Sequence, residues 1–89
     1  MGIYTGYSNS RRRYTVRTKF GEWMAMYLCS TGMTIQDVAD RLHFGSRQIV
    51  SMHLNGTAKP TFRDVVAYCW LFHSKDDPEY VWSLTKEEL

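Results

Sequence analysis

Residues 46–51, Ser-Arg-Gln-Ile-Val-Ser, gather side chains that suit reading the edge of a base pair. An Arg guanidinium can bridge O6 and N7 of guanine, a Gln amide can pair with N6 and N7 of adenine, and Ser or Val can approach a thymine methyl. Such groups discriminate only when a rigid element holds them outward together. A helix over 46–55 supplies that element if Ile49 and Met52 turn inward, and Ser46, Arg47, Val50 and Ser51 then share the outer face with Gln48 at its margin.

The elements that would hold this helix are legible from apolar periodicity. From Arg17 onward Phe20, Trp23, Met24, Tyr27 and Leu28 fall on one face of a first helix, which Gly32 ends in the left-handed conformation. Thr34 can cap a short second helix with Ile35, Val38, Ala39 and Leu42 on its apolar face. His43-Phe44-Gly45 breaks the period, with Gly45 expected to supply a positive φ or a tight approach, and Ser46 can open the third helix. Asn55-Gly56 ends it. Thr61 is the expected cap of a fourth and most buried helix carrying Val65, Val66, Cys69, Leu71 and Phe72. Asp77-Pro78-Glu79 reads as cap, first-position proline and first-turn acid of a fifth. No strand alternation or repeat is present, so an all-α, compact five-helix domain is expected.

A chain of 89 residues, 44% hydrophobic and 15% aromatic, is one domain and too apolar to stay disordered. It has no apolar run long enough to span a bilayer and no apolar stretch behind its first positive charges, so a cytoplasmic setting is expected. There, Cys29 and Cys69 are expected as small buried hydrophobes without a disulfide. The net charge of +2 is polarised. Arg11, Arg12, Arg13, Arg17 and Lys19 stand without any acid in residues 1–19, whereas residues 75–89 set five acids against two lysines. The sequence is expected to divide into a flexible basic arm over 1–16, a body over 17–74 that holds the candidate base-reading helix, and a C-terminal helix over 75–89.

In a helix-turn-helix unit the first helix needs a small residue where the second crosses it, and apolar residues must lock the crossing. Ala39 meets the first need; Leu42, Phe44, Ile49 and Met52 meet the second, with Ile49 ten residues after Ala39. The run "TIQDVADRLHFGSRQIVSMHLNG" with "KPTFRDVVAYCWLF" resembles the lambda-repressor-like (Cro- and Xre-type) helix-turn-helix domains of phage and bacterial regulators, over roughly residues 17–73. His43 stands where that family usually carries Gly, and one extra residue is expected between Met52 and Gly56. The resemblance implies base reading by the first two and the sixth residues of the recognition helix, here Ser46, Arg47 and Ser51. It also implies that a helix following the four-helix core can serve as a dimer contact.

The expected function is therefore that of a sequence-specific regulator of transcription, a phage or mobile-element repressor bound to double-stranded DNA as a homodimer on an inverted repeat. Phosphate contacts are expected from Thr34, Asn55, Thr57, Lys59 and Arg63, and from the arm residues Arg11, Arg12, Arg13, Arg17 and Lys19, which could also reach the minor groove. Tyr80, Val81, Trp82 and Leu84 form the candidate dimer patch, unless Trp82 folds back on helix one or four of its own chain. The alternative is a helix-turn-helix module of antirepressor or antitoxin type that acts through a protein partner. No catalytic constellation, cofactor or metal site is expected: the Cys69–His73 pair lacks further ligands at readable spacing, and His43, His53 and His73 have no nucleophile arranged with them. The Asn55-Gly56-Thr57 glycosylation triplet carries no weight without a secretory signal.

Overall fold

A computed structural model describes residues 14–89 and, ahead of them, the backbone of 8–9 and 12–13. Five helices follow a minimal antiparallel pair of two-residue strands, β1 (Ser8–Asn9) and β2 (Arg12–Arg13), in which Ser8 lies opposite Arg13. The helices are α1 (Lys19–Thr31), α2 (Ile35–Arg41), α3 (Arg47–Asn55), α4 (Phe62–Leu71) and α5 (Pro78–Ser83), with a 3₁₀ turn over Leu84–Lys86. Each begins on local hydrogen-bond chemistry. The Thr18 hydroxyl accepts the Gly21 amide, so α1 starts two residues after Arg17. Thr34 with Asp37, and Thr61 with Asp64, form reciprocal capping boxes, and Asp77 caps α5 with Pro78 in the first turn. Gly32 (φ 73°) and Gly56 (φ 86°) end α1 and α3 in the left-handed conformation that side chains resist.

The apolar faces meet in one core built from Phe20, Met24 and Leu28 of α1, Val38 and Ala39 of α2, Val50 and Leu54 of α3, Val65 and Tyr68 of α4, and Val81 of α5. The most buried helix is α1 rather than the expected α4, because α3, α5, the 3₁₀ turn and β1 all pack on it. Val66, expected inside, is exposed, and Tyr68 takes the inward place on α4. Aromatic rings bind α1 to α4, with Trp23 edge-on to Phe72 at 5.9 Å and Phe20 tilted against Tyr68 at 5.9 Å. The Trp23 indole N–H donates to Asp76 at 3.0 Å and ties α1 to the loop before α5.

Two expected boundaries move. Tyr14 and Val16 are buried in the core, so the folded body begins ahead of residue 17. The segment 17–19 pairs with the end of the chain: the Lys19 amide donates to the Glu87 carbonyl at 2.8 Å and the Leu89 amide to the Arg17 carbonyl at 3.0 Å. At the other end, α5 runs back along α4 and against α1, which buries Val81 and Leu84. Trp82 lies edge-on to Phe62 of its own α4 at 5.8 Å, beneath the Lys86 ammonium, and only Tyr80 stays well exposed. The patch expected from Tyr80, Val81, Trp82 and Leu84 is thus not presented, since its two aliphatic members complete the chain's own core. Among the described residues no helix is long and apolar enough to cross a membrane.

Candidate nucleic-acid interface

The geometry of α3 is set by the turn that precedes it. After α2 the Phe44 amide donates back to the Ala39 carbonyl at 3.0 Å, and His43 takes a left-handed φ of 58°. The positive φ expected of Gly45 therefore falls two residues earlier. Nor is Gly45 a point of close approach, because a Cβ there would meet nothing. Ser46 is extended, and its Oγ accepts the Gln48 amide at 3.0 Å, so the helix proper starts at Arg47.

The inward face of α3 consists of Val50, His53 and Leu54. Val50, expected among the base-reading side chains, is fully buried, whereas Ile49 and Met52, expected inside, are only half-buried. The turn is one residue longer than the spacing argument assumed, which places the anchor eleven residues after Ala39. A shift of one residue rotates a helix face by about 100°. Ser46, Arg47 and Gln48 are exposed and Ser51 is half-buried, and Gln48 moves from the margin toward the middle of the outward face. Counted from Arg47, the first, second and sixth helical residues are Arg47, Gln48 and Met52. Met52 is half-buried; the i, i+3, i+4 series Val50, His53, Leu54 carried the signal of the inward face but was masked by the polarity of histidine.

His53 can be buried because it is paired. Its Nδ1 lies 2.7 Å from the Tyr68 hydroxyl, and Phe44 and Tyr68 both meet the imidazole edge-on. Asp64 faces Nε2 at 3.9 Å, an arrangement that puts the imidazole proton on Nε2 and leaves Nδ1 to accept the hydroxyl proton. Burial pushes the His53 pKa below its ordinary value, with Asp64 opposing more weakly, so at neutral pH the contact with Asp64 is a dipole facing a carboxylate rather than an ion pair. Burial also raises the Tyr68 pKa and keeps the phenol protonated. This contact joins α3 to α4.

A shallow groove beside α3 is lined by Arg47, Gln48 and Ser51 together with Ile35 from the first turn of α2. The structure places the expected phosphate donors unevenly around it. Thr34 stands at the α2 N-terminus, yet its hydroxyl accepts the Asp37 amide and its own amide donates to Asp37, whose charge occupies the position an anion would take. The Asn55 side chain accepts the amide and hydroxyl of Thr57, so this pair shapes the loop after α3. Lys59 is exposed but lines a separate cleft with Lys86 and Thr18, and Arg63 is exposed on the first turn of α4. Arg17 is exposed, while Lys19 pairs with Glu87 at 3.3 Å. Arg11 and the side chains of Arg12 and Arg13 lie outside the described residues. Cys29 and Cys69 are free thiols, and among the described residues no three potential ligands converge on a metal position. Comparison with protein-family models, curated proteins and solved structures gives no significant match to this chain.

Proposed function

We propose that this chain is a helix-turn-helix domain of the lambda-repressor-like kind that binds double-stranded DNA, with α2 and α3 as the paired helices and α3 lying in the major groove. Its biological role on this reading is transcriptional regulation, of the type exercised by phage or mobile-element repressors. The observation that carries the proposal is the exposure of Arg47 and Gln48, consecutive residues in the first turn of a helix that Val50, His53 and Leu54 lock into the core. A guanidinium and an amide held so closely together have the donor and acceptor pattern for adjacent base pairs, and the rigid seat removes the ordering penalty that a loop would carry.

Phosphate contacts from exposed cations, Lys59 and Arg63 among them, then position the helix. A single helix reads about 3 or 4 base pairs. Pairing of two copies on half-sites about 34 Å apart is the expected route to operator-length specificity. Selection of bound duplexes from a random pool tests the reading directly, and an enriched inverted repeat is the expected result. Arg47→Ala and Gln48→Ala should each erase about 1–3 kcal/mol of discrimination between the selected site and random DNA, at unchanged helical content. No enriched sequence, or an affinity indifferent to salt between low and moderate ionic strength, would refute it.

A further inference from the structure

We propose that the outer face of α4 is a self-association surface, on which a second copy of this chain lays its own α4 antiparallel across a two-fold axis at Val66. Phe62, Val66 and Trp70 lie at i, i+4 and i+8 on that face and are 42%, 39% and 70% exposed, so the largest side chain on the helix stands in water. The half-buried Trp82 widens the stripe where it meets Phe62. Exposed Trp and Phe grouped on one rigid helix are the composition of an interface core rather than of an ordinary surface.

The occupant follows from the symmetry of the stripe. Phe62 and Trp70 are equally distant from Val66 along the helix, so a two-fold axis at Val66 brings Phe62 of each copy against Trp70 of the other. The charges repeat this pattern. Arg63 and Lys86 stand at the N-terminal end of α4, where Lys86 lies 4.1 Å above the Trp82 ring. Asp77 and Glu79 lie beyond its C-terminal end, with Lys75 as the one base beside them, while Asp76 turns to Trp23 of α1. An antiparallel pair sets the basic end of each copy beside the acidic end of the other, whereas a parallel pair would stack like charges. A stripe this size buries less than about 1,200 Å² in total, the low end for specific association, so the dimer is weak and grows in with concentration. The surface goes beyond the proposed DNA contact and does not rest on it.

Sedimentation of the DNA-free chain over a wide concentration range is the first test, with mass expected to rise from monomer toward dimer. Val66→Lys puts two ammonium groups face to face on the axis and should hold the chain monomeric throughout, with circular dichroism unchanged because the site is exposed. In a Cys29→Ser background, Val66→Cys should oxidise to a covalent dimer, whereas Tyr80→Cys, on the face toward α1, should not. A wild-type chain that stays monomeric at every concentration overturns the proposal. So does a dimer that survives Val66→Lys, or one that cross-links through residue 80 and not through residue 66. None of these readouts involves DNA, so a failure here is distinct from a failure of the DNA-binding reading.

Discussion

Gly21→Ala sets two effects of opposite sign against each other at the seat of α3. Ala is favoured over Gly in a helix by up to about 1 kcal/mol, the interior value being an upper bound for this first-turn position, so propensity alone makes the variant more stable. Packing says the reverse. A Cβ on Gly21 would come closer to the Leu54 carbonyl oxygen than real Cβ atoms come to any neighbour, with the Val16 side chain only 3.1 Å away. That oxygen belongs to the backbone of the last turn of α3 and cannot rotate aside, so the whole end of α3 has to lift off α1. Overpacking of this kind costs about 1–3 kcal/mol, and a backbone obstacle argues for the upper end. The net loss is then about 2 kcal/mol, or roughly 8–16 °C in Tm for a domain of this size. Thermal and urea unfolding followed by circular dichroism reads it, with Gly45→Ala as the reference, because a Cβ there meets nothing and the change should be neutral or slightly stabilising. A Gly21→Ala chain as stable as wild type, or more so, would sink the claim that backbone contact between α1 and α3 sets the position of α3.

Two further outcomes follow from the core around α3. Val50→Ala should destabilise by about 2 kcal/mol through loss of fully buried methyls, whereas Met52→Ala should cost under about 1 kcal/mol and act instead on DNA preference; equal stability losses in urea titrations would mean that the register of α3 is misplaced. Because the folded-state pKa of His53 lies below its unfolded value near 6.5, the unfolded chain takes up the proton first: the contribution is fully present above about pH 6.5 and is lost as pH falls through the folded-state pKa. The urea midpoint should therefore drop between pH 7.5 and 5.5, and His53→Leu should flatten most of that drop, since His43 and His73 are exposed.

What the sequence discloses here is mostly local. Thr34, Ser46, Thr61 and Asp77 were legible as caps because a side-chain oxygen answering an amide two or three residues on is settled within one turn. The apolar face of α1 was equally plain, because five apolar residues keep helical spacing without interruption. The register of α3 was not, since it depends on the length of a turn whose left-handed residue is a histidine rather than a glycine, and on a second histidine that is buried because Tyr68 and Asp64 receive it. The fate of Val81 and Leu84 was hidden for a different reason. An amphipathic end looks the same whether it folds back or waits for a partner, and only the fit against α1 and α4 decides. Gly21 gave no signal at all, because its role is the absence of an atom where another backbone passes.

The exits from α2 and α4 are built alike. In each, the amide of a large apolar residue donates four positions back, the following histidine bends left-handed, with φ of 58° at His43 and 54° at His73, and the next amide reaches five positions back, from Phe44 to Ala39 and from Ser74 to Cys69. A non-glycine residue in that conformation gives up about 1–2 kcal/mol, of which glycine would return all but the roughly 0.5–1 kcal/mol it adds to the freedom of the unfolded chain. Both histidines are exposed, so neither exchange disturbs a packed side chain. The domain thus holds unused mutational headroom at two surface positions, where one exchange can offset a loss elsewhere and leave the α3 surface free to diversify while the fold endures.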